Sequence, residues 1–362
     1  MVTFTKLTDE PLLSPAAIQH LVPGAIEVRV PAIAQVGTSE ILVACDARLA
    51  PVDDDWAAIG GAMAADLPNP NSLLLLRGRL DATIAGGISW AEPTVLRQGS
   101  IDPRSGFSDP AIITSGNRVV IAHARSADVG FFGSGRWCDN PAGNDARNVL
   151  HIDVACSDDA GKSWSISTIT GDVAREFSGA FVTSGHGVIA ANGDWVFPMI
   201  ARNLNGTTSF VAAISTDAGQ TWESGQPIGI DMDETALATI GTRLLLSARS
   251  TSAYASGKLG RWQAESTDFG RSWQDLAWDN SLPAAACNAA LVELPGTIAL
   301  SYAGPDRIGG HIAVLDDDTW RTVATITDQA FGYSDALYVE GNLIVVYEQS
   351  GSLRMATYRT RE

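Results

Sequence analysis

The sequence predicts an all-β protein, a six-bladed β-propeller built from four-stranded antiparallel blades. Three observations predict it: a turn motif that recurs at long intervals, apolar strand-like runs before the copies, and the total length of 362 residues. A period of roughly 50–60 residues suits one four-stranded blade. Dividing the 362 residues by about 60 then gives six blades.

The recurring motif has the form S-x-D-x-G-x-x-W. Its intact copies are Ser157–Trp164, Ser215–Trp222 and Ser266–Trp273, whose first residues lie 58 and 51 positions apart. Degraded copies occupy Arg79–Trp90 and Leu315–Trp320. Ser and Asp side chains bond local backbone groups, Gly accepts a positive φ and Trp packs beneath the turn. We therefore interpret the motifs as hairpin turns that stabilise the fold, not as ligand sites.

Strand-like runs accompany the motifs. His151–Ala155 and Phe210–Ile214 precede intact copies, and Arg243–Ala248 and Leu343–Tyr347 are further apolar runs. Ser14–Leu21 is the only segment that reads as a short helix. Because no linker or low-complexity tract divides the chain, we expect one domain over residues 1–362, with a lead-in over about 1–24.

The amino-acid composition limits the classes of partner that the protein can bind. The formal net charge of −17 argues against nucleic acid or an anionic membrane, since either would be repelled. Cys45, Cys138, Cys156 and Cys287 form no C-x-x-C pair, which favours buried free thiols over a disulfide framework or a zinc site. The first residues show no secretory signal, and no apolar run is long enough to span a membrane. These features predict a cytoplasmic protein, and we expect a monomer.

A second group of short motifs lies among the turn motifs. It comprises Val28–Ala32 (VRVPA), Asp66–Ser72 (DLPNPNS), Gly106–Pro110 (GFSDP), Met232–Glu234 (MDE), Leu246–Ser250 (LSARS), Ser301–Arg307 (SYAGPDR), Phe331–Ser334 (FGYS) and Tyr347–Glu348 (YE). Their order and their spacing relative to the turn motifs resemble the bacterial and animal sialidase (neuraminidase) family over nearly the whole chain. The sequence departs from the family's R-I-P motif only in having Val30 where the family has isoleucine.

The resemblance implies a retaining exo-α-sialidase that hydrolyses terminal sialic acid through a tyrosyl-enzyme intermediate. The implied substrate-binding residues are Arg29, Arg249, Arg307, Arg48, Asp109 and Asn288. The implied catalytic residues are Asp66 as acid and base, Tyr333 as nucleophile and Glu234 as its base. Glu348 is implied to hold Arg29 in place.

The chemistry of sialic acid calls for these residue types. Its carboxylate sits on the anomeric carbon, and arginine binds a planar anion with two parallel hydrogen bonds. A neutral phenol approaches such a centre without the repulsion that a carboxylate nucleophile would meet. The phenol is a weak nucleophile at its usual pKa, so an adjacent base must take its proton. A local cluster of arginines would also let a net-negative protein bind an anion.

Several alternatives stay open at this stage. Asp53, Asp54 and Asp55 are a second possible source of the acid, and Arg261 or Arg271 could replace Arg307. The segment Phe131–Trp137 could line a pocket for the acyl group or cover a blade edge. A sialyl-transferring or anhydro-forming sialidase, or a non-catalytic glycan-binding propeller, would share many of these residues. The histidines show no metal-ligand spacing, so we expect no metal and no cofactor, and the expected partners are sialylated glycans.

Overall fold

The computed structural model describes residues 2–51, 65–81 and 87–361. The chain forms six small sheets in sequence, which confirms the predicted six-bladed β-propeller. Inner strands of neighbouring blades contact one another, so they surround the propeller axis.

The strands follow one another blade by blade. The first strand of the chain, β1 (Thr3–Leu13), precedes blade 1. Blade 1 contains β2 (Ala25–Val36), β3 (Glu40–Leu49), β4 (Ser72–Asp81), β5 (Gly87–Trp90) and β6 (Thr94–Arg97). Blade 2 contains β7 (Ser100–Ile101), β8 (Arg104–Ser115), β9 (Arg118–Ser126), β10 (His151–Ser157) and β11 (Ser165–Thr168). Blade 3 contains β12 (Ala180–Val182), β14 (Val188–Ile189), β15 (Trp195–Arg202), β16 (Thr208–Ser215) and β17 (Glu223–Ser224). Between β12 and β14 the chain forms β13 (Gly185–His186), which joins the sheet of blade 2.

The second half of the chain is more regular. Blade 4 contains β18 (Thr235–Ile240), β19 (Arg243–Ala248), β20 (Arg261–Ser266) and β21 (Gln274–Asp279). Blade 5 contains β22 (Ala290–Leu294), β23 (Thr297–Ala303), β24 (Ile308–Asp316) and β25 (Thr319–Ala330). Blade 6 contains β26 (Ser334–Val339), β27 (Asn342–Gln349) and β28 (Ser352–Arg361). The helices are α1 (Thr170–Val173), α2 (Thr251–Ala255) and 3-10 turns at Pro15–Ile18, Phe131–Gly133, Trp137–Asp139, Gly143–Asp145 and Pro305–Arg307.

The ring closes through its two ends. Strand β1 pairs antiparallel with β28, from Thr3 opposite Arg361 to Leu13 opposite Leu353, and so becomes the outer strand of blade 6. The prediction of a lead-in over residues 1–24 is therefore wrong for β1. The predicted helix is present only as the short 3-10 turn at Pro15–Ile18. Blades 1, 2 and 3 also carry short strands beyond the expected four, and in blade 2 the added strand β13 pairs parallel with β8.

The core lies between adjacent blades. Inner and middle strands are buried on both faces, as the continuous apolar run Leu73–Leu76 illustrates. Such runs lack the alternation of a half-exposed strand because each blade is covered on both sides. All four cysteines are free, as expected, but only Cys45 and Cys287 are fully buried. Within the described residues, no helix combines the length and the apolar character needed to cross a membrane.

The turn motifs have the predicted geometry. In the first copy, Asp159 Oδ1 accepts hydrogen bonds from the amides of Lys162 (3.0 Å) and Ser163 (2.8 Å). Ser157 Oγ accepts from the amide of Gly161, whose φ of +78° suits glycine. Trp222 of the second copy is buried and stacks on Phe197 at 5.3 Å between ring centroids. Every copy joins the third and fourth main strands of a blade, at the outer side of the propeller.

Candidate active site

The predicted site residues meet because they lie at the same end of the inner strands. Arg29 lies in β2 and Asp109 in β8, while Glu234 and Tyr333 immediately precede β18 and β26. Together they line a cavity of about 600 Å³. Its polar wall contains Arg29, Arg48, Asp66, Asp109, Glu234, Arg249, Arg307 and Tyr333. A site that draws residues from this many blades has to lie close to the axis.

Two prolines explain how Arg29 and Asp109 turn into the cavity. Strand β2 breaks register with β3 between Arg29 and Ala32, and β8 breaks register with β9 between Ser108 and Ala111. Each break contains a proline preceded by a residue with positive φ, Val30 at 50° and Asp109 at 55°. Proline supplies no amide for the ladder, and a bulge re-aims the neighbouring side chains.

Glu348, on β27, fixes Arg29 of blade 1 to blade 6. Its two carboxylate oxygens accept bonds from Arg29 Nε and Nη2, both at 3.2 Å, and from the amide of Val30 at 2.7 Å. The amide of Tyr333 also donates to Glu348 Oε2 at 3.2 Å. Gly332 makes this approach possible, because a Cβ there would lie 2.3 Å from the same oxygen. Glu348 therefore occupies the position that the resemblance implied.

The Tyr333 hydroxyl lies between a carboxylate and a guanidinium group. It donates to Glu234 Oε1 at 2.8 Å and accepts from Arg249 Nη1 at 2.9 Å. Arg249 also forms ion pairs with Asp233 (3.0 Å) and Glu234 (3.0 Å). Tyr333 and Glu234 are both buried. The phenol thus has a proton acceptor within hydrogen-bond distance and a cation on its oxygen.

Three arginines surround the same ring. The guanidinium carbons of Arg29, Arg249 and Arg307 each lie 5.5 Å from the Tyr333 ring centroid. Arg307 ends the 3-10 turn after β23 with a φ of +57°, and its Nη2 donates to the carbonyl of Ala286 at 3.0 Å. The predicted arginine cluster is therefore present, and each member comes from a different part of the chain.

Arg48 lies across the cavity among carboxylates. It is almost fully buried and bonds Asp46 Oδ2 through Nη2 at 3.0 Å and through Nε at 3.2 Å. Its Nη1 contacts Asp66, and Ser108 donates to Asp46. Asp66 is about one-third exposed, at 34 % of its side chain. Arg48 thus connects a buried anchor to a carboxylate that solvent and substrate can reach.

The residues after Asp66 hold its loop in place, as the sequence suggested. The carbonyl of Asp66 accepts from the amide of Asn69 at 2.9 Å, and Asn71 Nδ2 donates to the carbonyl of Ala65 at 2.7 Å. Asn69 Nδ2 reaches the carbonyl of Leu49 at 2.9 Å. The alternative acids, Asp53, Asp54 and Asp55, lie outside the described residues.

Burial dominates the electrostatics of the cavity. It raises the pKa of Glu234 to about 7; Arg249 opposes this shift, while Asp233 and Asp109 add to it. Burial also raises the pKa of Tyr333 well above its usual value, despite the opposing charge of Arg249. The pKa of Asp109 is raised by burial and by the neighbouring Asp46. The phenol is therefore protonated at neutral pH, and Glu234 holds its proton to a higher pH than an exposed carboxyl does.

The rest of the cavity wall is apolar. It contains Leu67, Phe131, Phe132, Leu150, Phe181 and Ile200. Phe131 contacts both Phe132 and Phe181 edge-on, with ring centroids 5.1 and 5.2 Å apart. Of the two interpretations of residues 131–137, the structure supports a pocket wall for Phe131 and Phe132. Arg136 and Trp137 are not part of that wall.

One predicted binding residue, Asn288, is not part of the cavity wall. Asn288 is buried, and its Nδ2 instead donates to the carbonyl of Ser184 at 2.8 Å. The alternatives to Arg307 are also excluded from the wall. Arg261 donates to Ser247 and to the carbonyl of Cys287, and Arg271 pairs with Asp194.

Sequence reasoning missed two acidic anchors, Asp46 for Arg48 and Asp233 for Arg249. Asp46 lies two positions before its arginine on β3, so both side chains project from the same face of the strand. That spacing was a usable signal. Asp233 pairs with an arginine 16 positions away, and nothing local marks the pair. Among the described residues, no group of three or more His, Cys, Asp and Glu side chains could hold a metal ion.

Comparison with known families agrees with this architecture. A profile of the BNR repeat-like domain matches residues 81–346. The chain belongs to the BNR repeat-like domain family. A sialidase of Micromonospora viridifaciens is 29 % identical to this BNR-repeat chain over 355 residues, which cover 91 % of the chain and 51 % of that protein. The predicted resemblance to sialidases with BNR repeats is confirmed.

Solved structures show the same fold at low identity. Hadza microbial sialidase Hz136 superposes with a TM-score of 0.73 and 18 % identity, over 92 % of the BNR-repeat chain and 66 % of that structure. Trypanosoma rangeli sialidase in complex with sialic acid superposes with a TM-score of 0.68 and 17 % identity, over 99 % of the BNR-repeat chain and 58 % of that structure. The chain spans about half the length of the curated relatives it matches.

Proposed function

We propose that this chain is a sialidase-type glycoside hydrolase that removes terminal α-linked sialic acid with retention of configuration. The observation that carries the proposal is the placement of the Tyr333 hydroxyl, 2.8 Å from Glu234 and 2.9 Å from Arg249, beside two further arginines. Retaining glycosidases with a tyrosine nucleophile are sialidases. The sialidase of Micromonospora viridifaciens and the sialic acid complex of the Trypanosoma rangeli enzyme support the same substrate class.

The substrate carboxylate would bind among Arg29, Arg249 and Arg307. Each guanidinium group can donate two parallel bonds to a carboxylate and stays charged at every working pH. All three guanidinium carbons lie 5.5 Å from the Tyr333 ring centroid, which supports binding of the substrate carboxylate, and with it the anomeric carbon, near the phenol. The acidic protein thereby offers a local positive site to an anion.

In the first half-reaction, Tyr333 Oη bonds to the anomeric carbon while the bond to the departing oxygen breaks. The phenol proton moves to Glu234 Oε1, which already accepts it in the resting site. Asp66 protonates the departing oxygen from the exposed side of the cavity. Because the pKa of Glu234 is about 7, it matches a base that works near neutral pH.

In the second half-reaction, water replaces the tyrosine. Asp66, now ionised, takes a proton from the water as its oxygen bonds to the anomeric carbon. The phenolate leaves and recovers its proton from Glu234, while Arg249 stabilises the charge that develops on Oη. The apolar wall around Phe131 and Phe181 suits the methyl of an acyl group on the sugar.

Two measurements test the proposal. The purified protein should hydrolyse an aryl α-sialoside, and proton NMR should detect the α-anomer of sialic acid first. Incubation with 2,3-difluorosialic acid should add one glycosyl mass to the intact protein, and peptide mapping should locate it on Tyr333. Wild type without turnover would refute the hydrolase, and an adduct elsewhere or in Tyr333→Phe would refute this nucleophile.

Transfer to an acceptor sugar and formation of an anhydro product proceed through the same covalent intermediate. Adding lactose to the assay and separating the products distinguishes hydrolysis from both. A glycan-binding propeller without turnover would bind sialyllactose yet give no free sialic acid. The monomeric state and the cytoplasmic location stay predictions, which light scattering and fractionation of the native host test.

A further inference from the structure

A short segment that follows the first strand of blade 3 lies near the propeller axis, where its strand β13 contacts the inner strands of blades 1, 2, 4 and 6. We call Thr183–His186 the axial segment. It follows β12, whose Phe181 lines the cavity, and it includes β13, which pairs with Ala111 and Ile112 of blade 2. Thr183 and Ser184 are buried, and 18 % of the His186 side chain is exposed. Polar groups buried here need partners, and they find them in other blades.

The axial segment contacts the strand that carries the base. Thr183 Oγ1 donates to the carbonyl of Thr235 at 2.7 Å. Thr235 directly follows Glu234 and begins β18. A displacement of this hydroxyl therefore acts on the backbone one residue away from the proton acceptor of the proposed reaction.

The axial segment also contacts the strand that follows the nucleophile. His186 Nδ1 lies 2.6 Å from Asp335 Oδ1, and Asp335 is two positions after Tyr333. The other oxygen of Asp335 accepts from the amide of Ile33 at 2.8 Å, on the strand that carries Arg29. One buried carboxylate thus joins three blades at the axis.

Blade 5 completes the arrangement. Asn288 Nδ2 donates to the carbonyl of Ser184 at 2.8 Å and contacts its hydroxyl at 3.3 Å. The ring of His186 also bonds the backbone of Leu291, on β22. Every blade therefore has a hydrogen bond to the axial segment or to Asp335.

We infer that the axial segment and Asp335 position Glu234 and Tyr333 for reaction, so that His186, Asp335 and Thr183 are positioning residues. The inference rests on the proposed function. The Tyr333–Glu234 bond spans blades 4 and 6, which are not adjacent, and each end is tied to the axial segment within two residues. Reacting groups must be held to about 0.5 Å, and a displacement of about 1 Å can cost 10²-fold in rate.

Isosteric variants separate positioning from folding. Asp335→Asn keeps the side-chain volume but leaves one acceptor oxygen for two donors, the amide of Ile33 and the ring of His186, so one of these two hydrogen bonds is lost. Thr183→Val removes only the hydroxyl that reaches Thr235. Both should lower kcat on an aryl α-sialoside by about 10- to 100-fold. KM should change much less, because three long arginine side chains can follow a small backbone shift.

A conservative pair tests His186 directly. In His186→Asn, the amide nitrogen can take the place of Nδ1 opposite Asp335, whereas His186→Leu cannot donate. We expect His186→Asn to retain most of the wild-type kcat and His186→Leu to resemble Asp335→Asn. The matched control is Asp194→Asn, which breaks the ion pair between the buried Asp194 and the partly exposed Arg271 at the outer side of the propeller. The control should lower the melting temperature and leave kcat unchanged.

Crystal structures of the variants give a measure that does not depend on turnover. In Asp335→Asn, the Tyr333 Oη to Glu234 Oε1 distance should exceed 2.8 Å.

Wild-type kcat in folded Asp335→Asn and Thr183→Val would overturn the inference, as would an equal loss of kcat in Asp194→Asn. Should Asp335→Asn fail to fold, Thr183→Val and the His186 pair decide the matter. An inactive wild type refutes the proposed function instead, and the distance still tests the positioning.

Discussion

Replacing Glu234 with glutamine should stabilise the protein at alkaline pH while destroying its activity. Burial raises the pKa of Glu234 from 4.5 to about 7, a difference of about 2.5 pH units. At about 1.4 kcal/mol per unit, ionising this buried carboxyl costs about 3 kcal/mol of folding free energy. Glutamine has no charge to lose and keeps an oxygen that can accept from the Tyr333 hydroxyl.

The sign follows from the direction of the shift. A carboxyl whose folded pKa is raised favours the folded state below its unfolded pKa of 4.5, and this contribution disappears as pH rises through about 7. Wild type should therefore lose about 3 kcal/mol relative to Glu234→Gln between pH 4.5 and pH 8. Carboxyls that do not interact with Glu234 titrate alike in both proteins and cancel in the difference.

Urea denaturation of both proteins across this pH range measures the difference in free energy of unfolding. Glu223→Gln is the control, because Glu223 is 62 % exposed and its neutralisation should leave a difference that is nearly independent of pH. The kcat of Glu234→Gln on an aryl sialoside should fall by about 10²–10⁴-fold, the usual contribution of a general base. A stability difference that stays constant from pH 4.5 to pH 8 would refute the assignment of a raised pKa to Glu234.

Four further substitutions separate the roles of the remaining residues. Tyr333→Phe should nearly abolish kcat while calorimetry shows sialic acid binding largely intact, since only the hydroxyl is lost; near-normal kcat would remove Tyr333 from the role of nucleophile. Arg307→Ala should lower kcat/KM by an amount equivalent to about 2–5 kcal/mol of transition-state binding. Lysine should be a poor replacement because it cannot donate two parallel hydrogen bonds to a carboxylate, and an unchanged kcat/KM in Arg307→Ala would contradict carboxylate binding by this residue. Trp222→Ala should lower the free energy of unfolding by about 3–5 kcal/mol with unchanged kcat per folded molecule, so a well-folded but inactive variant would oppose a purely structural role. Asp66→Ala should lose about 10²–10⁴-fold on sialyl-galactosides and much less on nitrophenyl sialosides, whose leaving groups need little protonation; the same dependence in Asp54→Ala instead would move the acid to that residue.

The turn motifs were predictable because their interactions are local. The carboxylate of Asp159 bonds backbone and side-chain groups within four residues of itself, so eight letters of sequence contain the whole turn. Repetition of that turn then indicated the number of blades. The role of Thr3–Leu13 was not predictable, because its partner strand lies at the other end of the chain. A strand's own pattern shows that it needs a neighbour but not which neighbour it has.

The site residues likewise divide into those that short motifs predicted and those that depend on distant contacts. Arg29, Glu234, Arg249 and Tyr333 were predicted from short motifs in a family order, and the structure brings them into one cavity. Asn288 lies outside the cavity wall, and its buried amide donates to the carbonyl of Ser184, a contact between distant parts of the chain that no local pattern indicates.

Sequence alone was sufficient for the repeated turn, for the residue types that bind and cleave the proposed substrate, and for their order along the chain. Three features required the folded chain: the pairing of Asp233 with Arg249, the side chains that form the apolar wall, and the way the axial segment connects the blades. The two groups differ in the range of their interactions. The hydrogen bond between Tyr333 and Glu234 joins positions 99 residues apart, and its length of 2.8 Å depends on the packing of every blade around the axis.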